Sequence, residues 1–287
     1  MTTRRRAFVT GASRGIGKAT AIALAEVGFD VAITARTLHA GEQRELSPSV
    51  SRSVVGALPG SLTETAACIE SLGREALVVP ADLLDRASLG AAATTVLKRW
   101  GAVDVVVHNA RYVGPGHDDT FLAMPIDVIE KHMEGNFFAP LVLNRYLLPP
   151  MIERRRGLVV DISSGAALRD PVSVAGEAGW GICYGCSKAA FHRVAGILGL
   201  ELAPHGVQVV NIVPGVIAIE RNLDPVSSTS AGFDRSRAAP PEVVGKTVAW
   251  LATHDEARQH NGGTIHAQDF CHEKRLLPGW ERPAPAR

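Results

Sequence analysis

Seven short apolar runs, rich in β-branched residues, alternate with longer helical stretches along this 287-residue chain, and that alternation leaves few folds open. The runs cover 8–10, 31–35, 76–80, 103–108, 158–163, 207–213 and 264–266. After the first run Ile16, Ala19, Ala23 and Val27 recur at helical spacing, and Gly28 closes that helix. Further helical stretches are expected around 62–72, 86–100, 126–148, 184–203 and 241–253. Strands apolar on both faces imply a parallel sheet covered by helices on both sides. Right-handed crossovers then give an α/β, doubly wound (Rossmann) sheet of about seven strands, with ligands at the carboxyl ends of the strands. No internal repeat or linker interrupts the pattern, so 1–287 reads as one domain.

Four segments exceed the minimal alternation. Residues 39–61 are rich in Ser, Pro, Gly and charge, and read as an insertion, either a disordered surface loop or a functional one. Stretches 165–183 and 218–240 follow strand ends where a ligand would sit and are expected to act as lids, 218–240 over the substrate. Residues 271–287 read as a proline-rich tail. The net charge of +1 provides no field for nucleic acid or an anionic membrane. No apolar stretch approaches the roughly 18–20 residues of a membrane span. Gly11, Ser13 and Arg14 break the apolar start too soon for a signal peptide, and four cysteines make no disulfide scaffold, so a cytoplasmic location is expected.

Between the first strand and the first helix lies Thr10-Gly11-Ala12-Ser13-Arg14-Gly15-Ile16-Gly17. Gly11 permits a tight turn, Gly15 lets backbone approach a pyrophosphate, and Gly17 lets the helix pack closely on the sheet. The helix N-terminus then offers N–H groups to the phosphates of a dinucleotide. Gly11, Ser13, Arg14, Gly15, Ile16 and Gly17 are the candidate contacts. The second strand ends in Ala35-Arg36 where a carboxylate would select a ribose 2′-hydroxyl. Arg36 and Arg14 could instead grip a 2′-phosphate, which favours NADP(H) over NAD(H).

Tyr184 and Lys188 stand four apart at the start of a helix, and so share one face. A free phenol titrates near pH ~10, and a neighbouring ammonium stabilises its ionised form. That pair makes Tyr184 a candidate proton-transfer residue. Alone, Tyr-x-x-x-Lys is common by chance.

In combination, the glycine turn and Tyr184-Gly185-Cys186-Ser187-Lys188 resemble the short-chain dehydrogenase/reductase family, from about residue 6 to about 267. By that resemblance Ser164 hydrogen-bonds the substrate oxygen, while Ser163 points to the opposite face of an extended strand. Asn136 helps hold a water linking the lysine to solvent, and Lys188 also binds the nicotinamide ribose beside Tyr184. Asp82 and Leu83 match the adenine contact, Asn109 and Ala110 the cofactor-side turn, and Pro214, Gly215 and Ile217 the segment meeting the carboxamide. The resemblance implies a homodimer or homotetramer, and hydride transfer between NADPH and a carbonyl or alcohol carbon, with Tyr184 moving the proton and Ser164 polarising the oxygen. Two positions depart from the family pattern. Arg111 replaces a small residue after Asn109-Ala110 and is expected to point to solvent rather than to reach an anionic substrate or a phosphate; Ile219 stands where many relatives carry a threonine.

Other readings stay open. Cys183 and Cys186 form a Cys-x-x-Cys pair, which elsewhere marks a dithiol or half a zinc site, but no second pair at zinc spacing follows, so no metal site is assigned. A dinucleotide-binding regulatory protein without turnover is the other rival. Trp180, Val172, Ile219 and Phe233 suggest an apolar lining for a small substrate.

Overall fold

Seven parallel strands form one sheet in the computed structural model, which describes residues 4–223 and 235–283. In chain order the strands and helices are β1 (Arg5–Thr10), α1 (Gly15–Glu26), β2 (Phe29–Thr34), β3 (Arg44–Glu45), β4 (Val55–Gly56), α2 (Leu62–Ser71), β5 (Ala76–Val78) and α3 (Arg86–Trp100). There follow β6 (Val105–His108), α4 (Ile126–Met133), α5 (Ala139–Glu153), β7 (Gly157–Ile162), α6 (Ile182–Leu202) and β8 (Val207–Val213). The chain closes with α7 (Glu220–Leu223), α8 (Glu242–Leu251), β9 (Thr264–His266) and α9 (Ala267–Glu273). The sheet order is β5-β2-β1-β6-β7-β8-β9, so the direction of winding reverses between β1 and β6. A doubly wound sheet opens its ligand crevice at that reversal, beyond the strands' carboxyl ends.

Alternation along the strands divides the core in two. Val105 and Val107, with Leu158, Val160 and Ile162, face the layer of α1, α2, α8 and α9. Val106 and Val159 face α3, α5 and α6. Burial of both strand faces is the physical reason for the near-continuous valine runs.

The expected helix over 126–148 is broken. A π turn over Glu134–Phe138 separates α4 from α5, and it carries Asn136. An extra residue in one helical turn leaves no trace in apolar spacing, and such bulges recur at functional sites. The 39–61 segment is no featureless surface loop: β3 pairs antiparallel with β4, and Leu46 and Leu58 are buried. The expected tail at 271 begins inside α9, after which Leu276, Leu277 and Trp280 pack against the core. Of the expected lid, 224–234 and with it Phe233 lie outside the described residues, as do 1–3 and 284–287.

Candidate active site

The glycine turn sits where β1 and β6 diverge. Gly11 (φ +68°) and Gly15 (φ +53°) hold left-handed backbone, which glycine adopts without cost. A Cβ on Gly17 would stand 2.2 Å from the Gly11 carbonyl oxygen and 2.5 Å from Asn109 Nδ2, so α1 can enter at this depth only without one. Asn109 Nδ2 donates to the Thr10 carbonyl (2.9 Å), and Thr10 Oγ1 accepts the Asn109 and Ala110 N–H groups (3.0 Å each), which locks the two strand ends together. Ser13 is buried and Ile16 packs against the core.

Past the end of β2, Arg36 and Arg44 lie close enough to act on Arg14, whose guanidinium is lowered by burial first, with Glu220 and Glu64 opposing and the two arginines adding to it. Arg14 donates to the carbonyls of Leu58, Pro59 and Gly60 (3.2, 2.9 and 2.9 Å), so the insertion holds it. Arg36 Nη1 lies 3.9 Å from Asp82 Oδ2. Asp82 Oδ1 accepts the Leu84 N–H, and Leu83 packs against the core beneath α3. Gly215 (φ +78°) follows Pro214, whose carbonyl accepts from Gln268 Nε2 (3.3 Å), while Ile217 is buried.

The second cluster gathers where β7 ends. Ser163 Oγ meets His192 Nδ1 (2.7 Å) on one side, and Ser164 Oγ accepts from the Tyr184 hydroxyl (3.2 Å) on the other, as strand alternation requires. One turn along α6, the buried Lys188 ammonium donates to the Ile162 carbonyl (2.8 Å). Burial, with Arg111 adding to it and Asp161 opposing it, lowers this lysine to about 7. Asn136 accepts the Tyr112 N–H (2.7 Å) and donates to Ser187 Oγ (2.9 Å), tying the π turn to α6. A hydroxyl pair above a buried ammonium, beside a crevice walled by glycines, can hold a carbonyl oxygen and pass it a proton.

The family sequence pattern described as "short chain dehydrogenase" matches residues 5–47 and 49–225. The chain belongs to the short-chain dehydrogenase/reductase family. Members of that family are oxidoreductases that use nicotinamide cofactors. This short-chain dehydrogenase/reductase is 31% identical to a cyclohexanol dehydrogenase of Rhodococcus sp. (strain TK6), over 77% of each chain. It is 29% identical to an L-rhamnose 1-dehydrogenase (NAD(P)(+)) of Sphingomonas sp. (strain SKA58), over 86% of this chain and 88% of that one. With dehydrogenase/reductase SDR family member 7B of Mus musculus it shares 29%, over 78% of this chain and 61% of the mouse protein's length. Among solved structures it is similar to a metagenomic short-chain oxidoreductase in complex with NADP (28% identity, TM-score 0.68, 92% of this chain and 96% of that one).

Three features of this short-chain dehydrogenase/reductase depart from the sequence expectations or add to them. Arg111 does not point to solvent: its guanidinium carbon lies 5.6 Å from the Tyr184 ring centre. His117 packs on the same ring, 4.7 Å between centres. Glu220, next to the departing Ile219, reaches the glycine turn, where its Oε1 accepts the Gly15 N–H at 3.3 Å. The turn thus already takes an oxyanion, and its glycines leave the space a Cβ would fill, so these residues fit a dinucleotide phosphate. The departure at 111 was the sequence signal for the first contact; His117 and Glu220 carried none. The expected apolar lining is not gathered at Tyr184: Val172 is 89% exposed, and Trp180 lines a separate cavity with Cys186 and Ala189. Cys183 is buried against Met124 and burial pushes its thiol up to about 12, while Cys186 is exposed; a thiol kept protonated makes a poor redox centre.

Proposed function

We propose that this protein is an NADP(H)-dependent oxidoreductase that interconverts a small carbonyl compound and its alcohol, with Tyr184 as proton donor and acceptor. The observation that carries the reading is the 3.2 Å hydrogen bond from the Tyr184 hydroxyl to Ser164 Oγ, with the Lys188 ammonium buried one helical turn along. When bound, NADPH supplies a hydride to the carbonyl carbon. Ser164 holds the carbonyl oxygen, Tyr184 gives it a proton, and Lys188 stabilises the phenolate left behind. Asn136 fixes the Tyr112 backbone and Ser187 around that pair. Gly11, Ser13, Gly15, Ile16 and Gly17 would hold the pyrophosphate; Asp82 and Leu83 the adenine side; Asn109, Ala110, Pro214, Gly215 and Ile217 the nicotinamide side, with Tyr184 and Lys188 at the ribose.

The preference for NADP(H) is supported by Arg14, Arg36 and Arg44 clustered past β2 with no carboxylate ending that strand. The neighbouring structure with NADP agrees with it. Among the described residues no helix is long and apolar enough to cross a membrane, in keeping with a cytoplasmic enzyme. Exposed Ile197 and Leu200 on α6, with Phe138 and Tyr146 before and on α5, support a homo-oligomer.

The test is NADPH consumption over a panel of aldehydes, ketones and oxo acids with the wild type, Tyr184→Phe and Arg36→Asp. Tyr184→Phe is expected to lower turnover by about 10²–10⁴-fold while NADPH still binds. Arg36→Asp is expected to shift preference toward NADH by more than about tenfold. Full activity in the first variant, or an unchanged preference in the second, refutes the corresponding assignment.

A further inference from the structure

The loop after β6 brings an arginine to the face of Tyr184 that nothing in the reaction so far requires. Arg111 is half-buried, and its guanidinium lies over the phenol ring at 5.6 Å. Its Nη1 donates to the neighbouring Tyr112 carbonyl at 3.3 Å, a weak bond for a group with five donors. Among the described residues no carboxylate comes within 4.0 Å of it, whereas Arg86, Arg99 and Arg156 meet Glu134, Glu75 and Asp104 at 2.5, 2.9 and 2.6 Å. Stacking over an aromatic ring leaves the edge of a guanidinium free to bind an oxyanion in its plane.

The surroundings do not neutralise it. Arg111 lies near enough to Lys188, Arg221 and His117 for its charge to act on all three. The nearby carboxylates are engaged elsewhere: Asp118 Oδ1 with His117 Nδ1 (2.7 Å), and Asp119 Oδ2 with the N–H groups of Gly116 and Val50 (2.9 Å each). Arg221 is buried, donates to the Leu46 carbonyl at 3.1 Å, and feels Asp118 and Glu45. Beside the phenol stands a cation that, among the described residues, has one weak bond to a backbone carbonyl and no carboxylate within 4.0 Å.

Resting on the oxidoreductase reading, we propose that Arg111 is a specificity-determining contact, and that the substrate is a carbonyl compound, or its alcohol, carrying a carboxylate a few bonds from the reacting carbon. The carbonyl oxygen lies against Tyr184 and Ser164 while the carboxylate pairs with the Arg111 guanidinium. An oxyanion could also come from the cofactor's own phosphates, and the experiment separates the two sources.

The 2-, 3- and 4-oxo acids of four to six carbons and their methyl esters are compared in kcat/KM with NADPH, for the wild type, Arg111→Met and Arg111→Lys. Expected are an acid preferred over its ester by about tenfold or more, collapse of that ratio toward one in Arg111→Met through KM, and partial recovery in Arg111→Lys. NADPH dissociation constants, read from nicotinamide fluorescence, stay within about twofold. Independently of turnover, an unreactive carboxylate such as pentanoate raises the melting temperature of the NADPH complex in the wild type and not in Arg111→Met. Esters used as well as acids, a variant that weakens NADPH and leaves the acid-to-ester ratio intact, or equal stabilisation of both proteins by pentanoate each overturns the proposal. Failure of the oxidoreductase reading is distinct: no oxo acid or ester is reduced by any protein, while the pentanoate measurement still decides what Arg111 binds.

Discussion

Burying an ammonium at 3% exposure, with one backbone oxygen at 2.8 Å in place of bulk water, favours the neutral form, and Lys188 falls to about 7. Asp161, on the strand beneath, has the converse problem. Among the described residues neither carboxyl oxygen, both buried, has a hydrogen-bond partner, and the residue sits between His108 and Asn211 in register on the adjacent strands. Burial pushes this carboxyl up to about 8, with Lys188 pulling the other way. Its folded value therefore lies above its unfolded one. The contribution of Asp161 to stability is fully present below about pH 3.8 and is lost as pH rises toward 8. Asp161→Asn removes that loss. Melting temperatures of the variant and the wild type, measured from pH 4 to 8.5, should diverge steadily in favour of the variant and stop diverging above 8. A difference that stays constant over this range would mean that Asp161 is not held neutral. Ser164 and Asn136 were reachable only through the family resemblance, while the Tyr184–Lys188 pairing was legible because an i, i+4 spacing is local. The orientation of Arg111 was not, since it depends on where the loop after β6 meets α6, a contact between residues 111 and 184 that no local pattern encodes.

At the scale of elements, α1 begins without a side-chain cap and without an acid in its first turn. The charge that such an end attracts comes from α7 instead, through Glu220 on the Gly15 N–H. Its other carboxylate oxygen is buried with no hydrogen-bond partner among the described residues, so the contact is only half satisfied there. A phosphate bound at this turn and the Glu220 carboxylate compete for one donor. Glu220→Gln should therefore tighten NADPH binding by about two- to fivefold, the equivalent of 0.3–1 kcal/mol at a helix end, and lower the melting temperature of the cofactor-free protein by about 1–4 °C. Both are read by fluorescence titration and thermal melting; unchanged values for both would show that Glu220 is indifferent to the turn. Most elements were legible because periodicity reports burial directly: α3 spans 86–100 and β8 spans 207–213 as the apolar pattern predicts. The π turn at 134–138 was invisible, because an added residue in one turn changes hydrogen bonding more than it changes which side chains are apolar.

Over the whole molecule, the 39–61 insertion reaches parts of the chain that lie far apart in sequence. Its carbonyls at 58–60 hold Arg14 of the glycine turn, the Leu46 carbonyl accepts from Arg221 of α7, and the Pro48 carbonyl accepts the Asp118 N–H at 3.1 Å. The Val50 N–H closes the set on Asp119. Composition alone gave 39–61 as a loop because two-residue strands are too short to show a period, and because its partners are backbone groups with no sequence signature. Buried Leu46 and Leu58 are what anchor it, each worth about 1.5–3 kcal/mol in apolar burial. Truncating one of them leaves a cavity beneath the strap as well as losing that burial. Leu46→Ala is expected to cost about 2–5 kcal/mol, a fall of about 5–15 °C in melting temperature. If the insertion clasps the crevice as a unit, the damage spreads beyond the cavity: proteolytic cleavage should rise within 113–123 and 217–223 as well as within 39–61. NADPH should then restore more of the lost stability to the variant than it adds to the wild type. Cleavage confined to 39–61, with the same thermal shift from NADPH in both proteins, would reduce the insertion to an independent flap.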